Sequence, residues 1–280
     1  MKVLIGFILF IGSGLLSEAQ YYYKDIILTR QANAKWKEYH DHRVRSVKIL
    51  SFEANNQPTE GFTCEQNIRA DYTEISTHTR SNLTAETLLI SQYDQHGMLK
   101  ETIDTSDRFQ GITLYQYNAS GDIESITNTS QATADQAQDI EKHFWKYDGA
   151  GKPVGLLKIK NGNDTTFVSF VRDEKGNLAE EHAIRNKINL PVIYYYYDDR
   201  GLLTDIVRFN AKVQRLLPDF IFEYDPNGRM LSMLTVPADN NGYQKWIYEY
   251  DEQGLRWRES CYSREKILLG RIEYQYTYSR

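Results

Sequence analysis

Along most of this chain apolar and polar side chains alternate with a period of two, as in strands whose successive residues point to opposite faces. A short phrase, Asp or Asn followed three residues later by Gly, interrupts the alternation at regular places. It stands at Asp94–Gly97, Asn118–Gly121, Asp148–Gly151, Asp173–Gly176, Asp198–Gly201, Asp225–Gly228 and Asp251–Gly254, with spacings of 24, 30, 25, 25, 27 and 26 between successive glycines. A fainter copy, Phe52-Glu53-Ala54-Asn55-Asn56, puts Asn56 where the glycine would be.

The phrase has the chemistry of a hairpin turn. An Asp or Asn side chain bonds to the backbone two residues on, and the Gly accepts a positive φ, which together predict a type I turn closed by a glycine bulge. The residue just before the Asp or Asn is Tyr in six of seven copies, with Arg172 the exception. Two residues earlier stand Ser91, Tyr115, Trp145, Phe170, Tyr195, Phe222 and Tyr248, on the same face. One face of each incoming strand is therefore aromatic, while Gln92, Gln116, Lys146, Glu223 and Glu249 make the other more soluble. Outgoing strands follow, as in Leu99 to Ile103 and Leu202 to Phe209. The one long spacing reflects an insertion, Thr129 to Glu141, read as a loop or short helix.

Seven hairpins with flanking strands give about 15 strands, roughly 70 Å wide if laid flat. Sheets of that size curl or close. The expected fold is all-β: an antiparallel meander of repeated β-hairpins rolled into a curved, spiral or barrel-like sheet. The repeats occupy residues 86–280, and residues 20–85 form an N-terminal strand and capping region in which Ala34 to His42 is a short helix or a cap.

At the N-terminus Lys2, the apolar run Val3 to Leu16 and the small residues Ser17 and Ala19 predict a cleavable export signal over residues 1–19. The apolar stretch is shorter than the roughly 20 residues of a spanning helix. A net charge of −5, with 33 basic against 38 acidic residues, leaves no basic footprint for nucleic acid. The only cysteines, Cys64 and Cys261, form one bridge in an oxidising compartment or stay as two buried thiols.

The Tyr-Asp phrase, with Gly three residues after the Asp, resembles the YD repeats of the RHS (rearrangement hotspot) family over about residues 86 to 280. That resemblance implies strands of a spiralling sheet and surface binding, carbohydrate included. Large members enclose a C-terminal toxin, for which the residues after Gly254 leave no room. Asp225-Pro226-Asn227-Gly228 starts like the family's self-cleavage motif but continues Arg229-Met230-Leu231, so cleavage is not carried over.

No local signature of a catalytic metal, a serine nucleophile or a phosphate loop follows the leader. Neither a metal site nor any other cofactor is expected, the repeated Asp residues being turn caps rather than calcium ligands. The binding candidates are Arg172, which replaces the Tyr, and its aromatic neighbours Trp145, Tyr147, Tyr195 and Tyr197. The expected function is that of an exported, non-catalytic binding or scaffold module of the cell envelope or exterior. Its partner would be a polysaccharide or a surface protein, with no membrane association beyond export. An outer-membrane β-barrel is the alternative, and a polysaccharide-acting enzyme with a dispersed site the second.

Overall fold

A computed structural model describes residues 21–82, 86–106, 108–134, 137–210, 213–236 and 242–279, so the expected leader lies outside the described residues. The helix α1 (Lys24–Asp41) comes first. It is followed by β1 (Val44–Glu53), β2 (Thr63–Ile68), β3 (Glu74–Arg80), β4 (Thr87–Tyr93), β5 (Leu99–Ser106), β6 (Phe109–Tyr117), β7 (Ile123–Ala132), β8 (Gln138–Tyr147) and β9 (Pro153–Lys160). Then come β10 (Asp164–Arg172), β11 (Leu178–Arg185), β12 (Ile188–Asn189), β13 (Ile193–Tyr197), β14 (Leu203–Asn210), β15 (Arg215–Tyr224), β16 (Met230–Thr235), β17 (Gln244–Tyr250), β18 (Arg256–Tyr262) and β19 (Leu268–Tyr278).

Apart from β12, every strand pairs antiparallel with its neighbours along the chain, β11 with β13, and β19 pairs with β1 from Val44 opposite Tyr278 to Glu53 opposite Gly270. The sheet is therefore closed. The two-residue β12 pairs only with β11 and continues, past Leu190-Pro191-Val192, as β13, so the nineteen strands make an 18-strand barrel. Of the rolled forms the sequence allows, this is the barrel.

The predicted turns take the predicted geometry. In each of the seven the Gly N–H donates to the carbonyl of the Asp or Asn three residues before it, at 3.0 to 3.1 Å. The side-chain oxygen also accepts backbone N–H groups, as Asp251 does from Gln253 at 3.0 Å and Leu255 at 2.8 Å. The glycines lie at φ between +72° and +87°, and the register slips by one residue at every such turn. The fainter copy folds alike, with Asn56 at φ +64° donating to Glu53. A ninth turn, Ser263 to Lys266, has the same bonding, although Ser263 replaces the Asp and Lys266, at φ +61°, the Gly.

Two expectations change. Thr129 to Glu141 is neither loop nor helix at its flanks: Thr129 faces Ile140, Ser130 faces Asp139 and Gln131 faces Gln138, so the β7–β8 hairpin is long, β7 staying paired with β6 to Ala132 and β8 running on past β9. Polar β-compatible residues can extend a hairpin that has no face to bury. The helix is longer than Ala34 to His42, starting at Lys24, and ends where Arg43 turns to φ +55°.

Aromatic and aliphatic residues of the in-pointing register form the core. Trp145, Leu156, Val168 and Ala183 line β8 to β11, while Met233, Trp246, Tyr248 and Cys261 line β16 to β18. The helix lies within the barrel, because its residues touch walls on opposite sides. Tyr39 bonds Gln66 of β2, Asn33 accepts from Leu99 of β5, Asp25 meets His143 of β8, and the backbone at Tyr22 and Tyr23 donates to Glu181 of β11, nine strands from β2.

Cys64 and Cys261 are both free and buried, and no bridge forms. The strand order β2, β1, β19, β18 separates them by three strand spacings, about 14 Å, beyond the Cα reach of a disulfide.

Candidate functional site

The tyrosine that precedes each turn points inward, and its hydroxyl has a repeated task. Tyr117 donates to the carbonyl of Leu99, Tyr147 to Ile123, Tyr224 to Leu203 and Tyr250 to Met230, and Tyr276 of the closing strand β19 donates likewise to Arg256, at 2.6 to 2.8 Å. Each acceptor opens the strand that leaves the preceding turn, so these hydroxyls clasp one repeat to the one before.

Arg172 takes the same task with different chemistry. Its Nη2 donates to the carbonyl of Pro153 at 2.6 Å, the place corresponding to Leu99 or Ile123, and Nη1 pairs with Asp148 at 3.3 Å. The guanidinium is thus engaged in the clasp. Of the other candidates, Trp145 is buried and stacks on Phe170 at 5.4 Å with the rings 5° apart. Tyr195 is buried against Glu181, Tyr147 forms a clasp, and Tyr197 packs beside Tyr23. The structure brings these four together on the lumenal wall around the N-terminal half of α1, and leaves Arg172 at the turn rim.

The lumen holds a second set of residues that sequence reading missed. Tyr23, the N-cap of α1, has no side-chain cap of its own. Glu181 of β11 supplies one from the wall: its carboxylate accepts the N–H of Tyr22 at 2.8 and 3.0 Å, that of Tyr23 at 2.9 Å, and the Tyr195 hydroxyl at 2.9 Å. A carboxylate at the first turn also meets the positive end of the helix dipole. Burial pushes the Glu181 carboxyl up, against the lowering effect of those three donors.

Asp25 supplies a second attachment. Its Oδ2 lies 2.6 Å from Nδ1 of His143 and 3.3 Å from Nε1 of Trp145, while Nε2 of His143 lies 2.9 Å from Glu141, which pairs with Lys158 at 2.7 Å. Burial alone would lower His143, but the charge of Asp25 and the hydrogen bonds to Asp25 and Glu141 raise it to about 9. Burial would raise Glu141, yet bonds from His143 and Lys158 hold it at about 2. Both ring nitrogens of His143 then donate, and the chain Asp25–His143–Glu141–Lys158 alternates in charge. One sequence signal for this set existed: Glu181 and His143 fall on in-pointing positions of their strands, where the aromatic face leaves polar groups needing partners.

On the far side of α1 the lumen is walled by β18, β19, β1 and β2. Arg256 bonds Glu259 at 2.9 Å and stands over the Tyr248 ring at 4.3 Å, and Glu259 also accepts the Tyr274 hydroxyl at 2.6 Å. Lys35 of α1 looks into the same space.

Two arcs of the outer surface contrast, and exposed large apolar side chains continue outside them, as at Leu114, Phe209, Leu216, Leu231 and Ile247. From β18 through β19, β1 and β2 to β3 the surface is polar: Arg258 faces Glu273, Lys48 faces Gln275 and Glu65, and Glu65 faces His78. From β8 to β11 it carries an apolar row, Phe144, Leu157, Phe167 and Ile184, each opposite the next. Phe167, at 60% exposure, is the most open of them. No described helix is long and apolar enough to cross a membrane, and the described residues contain no cluster of three or more His, Cys, Asp or Glu fit to hold a metal.

No protein-family model and no curated protein sequence matches the chain. Among solved structures it is similar to a porin-like protein from Bacteroides uniformis, at 9% identity and a TM-score of 0.40, covering 84% of this chain and 98% of that one. A porin-like protein from Bacteroides vulgatus matches over the same shares at 12% identity and a TM-score of 0.30. The Tc holotoxin pore of Photorhabdus luminescens matches 77% of this chain at 12% identity and a TM-score of 0.31, and this chain spans 16% of that one.

Proposed function

We propose that this chain is a short YD-repeat array that is exported, closes on itself, and serves without catalysis as a binding module of the cell envelope or exterior. Its partner is a polysaccharide or a surface protein. The observation that carries this reading is the charged outer arc from β18 to β3. On β18 and β19 of this arc Arg258, Arg271 and Glu273 form a linked ion-pair set, with Arg258–Glu273 at 3.4 Å and Arg271–Glu273 at 2.9 Å. Lipid contact at the midplane costs about 2 to 4 kcal/mol for each Arg or Lys, so this arc favours water. The aromatic core and α1 lie inside, so recognition falls to the turn rims, the outer arcs and the remaining lumen.

A second reading, a barrel seated in an outer membrane, is favoured by closure and by the apolar row from Phe144 to Ile184. One experiment separates the two. The full chain is expressed in a Gram-negative host and its envelope washed with alkaline carbonate, and the purified protein is run through gels cast with polysaccharides. Release by carbonate with retardation in a gel supports the proposed reading. Retention in the membrane pellet replaces it with the second, and release without retardation in any gel directs the search to a protein partner.

A further inference from the structure

Lys35 is open to solvent, yet that solvent is enclosed by the barrel. The groups acting on its charge are Arg256 and Glu259 of β18, Glu38 of its own helix and Cys64 of β2. Its Nζ stands 5.4 Å from the Tyr39 ring centroid. Among the described residues it makes no hydrogen bond and no ion pair. Burial, with repulsion from Arg256, holds its ammonium below the ordinary lysine value.

Arg256 faces the same space. One of its nitrogens is committed to Glu259, whose Oε1 is shared with Tyr274, and the guanidinium fork retains further donors. Glu38 offsets the two cations only in part, because burial pushes its carboxyl above the usual range toward the neutral form. A lumenal ammonium without an acceptor, beside a guanidinium with donors to spare, has the donor set that carboxylates fit. The Tyr39 ring beside the ammonium offers an apolar face to the body of an organic molecule, while Arg256 already covers the rings of Tyr248 and Tyr250.

We infer that the space between Lys35 and Arg256 is a binding site for the carboxylate of a small organic ligand, either a carboxylated sugar or a simpler organic acid. The inference deepens the binding reading above but does not need its polysaccharide partner.

The test is titration calorimetry of the chain from Gln20 onward with galacturonate, galactose and acetate. Galacturonate should bind at least tenfold more tightly than galactose, and Lys35→Gln should lower its affinity at least tenfold while leaving the thermal midpoint unchanged. A bound carboxylate also favours the protonated amine, so binding at pH 9 should take up protons, and Lys35→Gln should abolish that uptake. Acetate binding as tightly as galacturonate supports the site and assigns it to simple organic acids. Unchanged galacturonate affinity in Lys35→Gln, or binding of neither acid by the parent chain, would overturn it. Gel retardation that fails while galacturonate still binds counts against the polysaccharide partner alone.

Discussion

Between β4 and β19 the wall is fastened turn by turn with the same contacts, whereas α1 is fastened by contacts that occur once. Each turn has its capped Asp or Asn, its left-handed residue and, at five of them, a clasp to the strand before; the ninth achieves the same turn with Ser263 and Lys266. Losing one such contact leaves its neighbours to hold the register. The helix has one Glu181 and one Asp25–His143 pair, and nothing duplicates them. A repeated contact can be made by a different residue, as Arg172 shows, while a contact made once has no second copy behind it.

The sharpest break of this contrast is Glu181→Ala, which strips three buried donors of their acceptor. It should cost about 3 kcal/mol or more, read from chemical denaturation, with exchange of the α1 amides rising before that of the wall. A loss spread evenly over wall and helix would end the distinction.

Changing pH tests the second attachment. His143, at about 9 in the fold against 6.5, contributes stability that is complete below pH 6.5 and lost as pH rises through 9. Glu141, at about 2 against 4.5, contributes stability present above pH 4.5 and lost as pH falls toward 2. The thermal midpoint of the parent should therefore drop between pH 6 and pH 9.5 more than that of His143→Gln.

On the wall side, Gly121→Ala isolates backbone strain, because φ is +82° and no other side chain lies within 4 Å of the added carbon. It should cost about 1 to 2 kcal/mol, well below Glu181→Ala. The smallest effect should come from Arg172→Tyr. A tyrosine there reaches the Pro153 carbonyl as its counterparts reach theirs, and stability should move by about 0.5 kcal/mol or less. A large loss would mean that Arg172 acts through something besides the clasp.

What repeats was readable in the sequence. The turns, the aromatic face and the rolled sheet follow from local rules applied seven times, and the Tyr positions announced an inward register even though the clasp itself was not foreseen. The turn at Ser263 was missed because a serine hydroxyl and a left-handed lysine reproduce the geometry without either signature residue. The true length of α1 was hidden for another reason. Its partners surround it, so Ile26, Thr29, Ala32 and Tyr39 are buried among polar neighbours with no single apolar stripe. Glu181 and His143 could not be joined to their partners from the sequence, because those lie 158 or 159 and 118 residues away. Arg172 stood out as a possible interruption, and only the Pro153 carbonyl explains its fit.

Closure of β19 on β1 carries a consequence for how the protein is made. Ser46 and Thr277, bonded across that seam, are 231 residues apart. Joining ends so distant costs about 5 kcal/mol in chain entropy, and that cost is met only after seventeen intervening strands have begun to order. Until β19 emerges, β1 and the growing end of the sheet are bare edges able to pair with any other extended chain. Nascent molecules are thus exposed to aggregation for the whole of synthesis, and a chain truncated before Leu268 would stay so permanently. For such a barrel, a chaperone that shields strand edges during assembly would matter more than any single interaction in the finished wall.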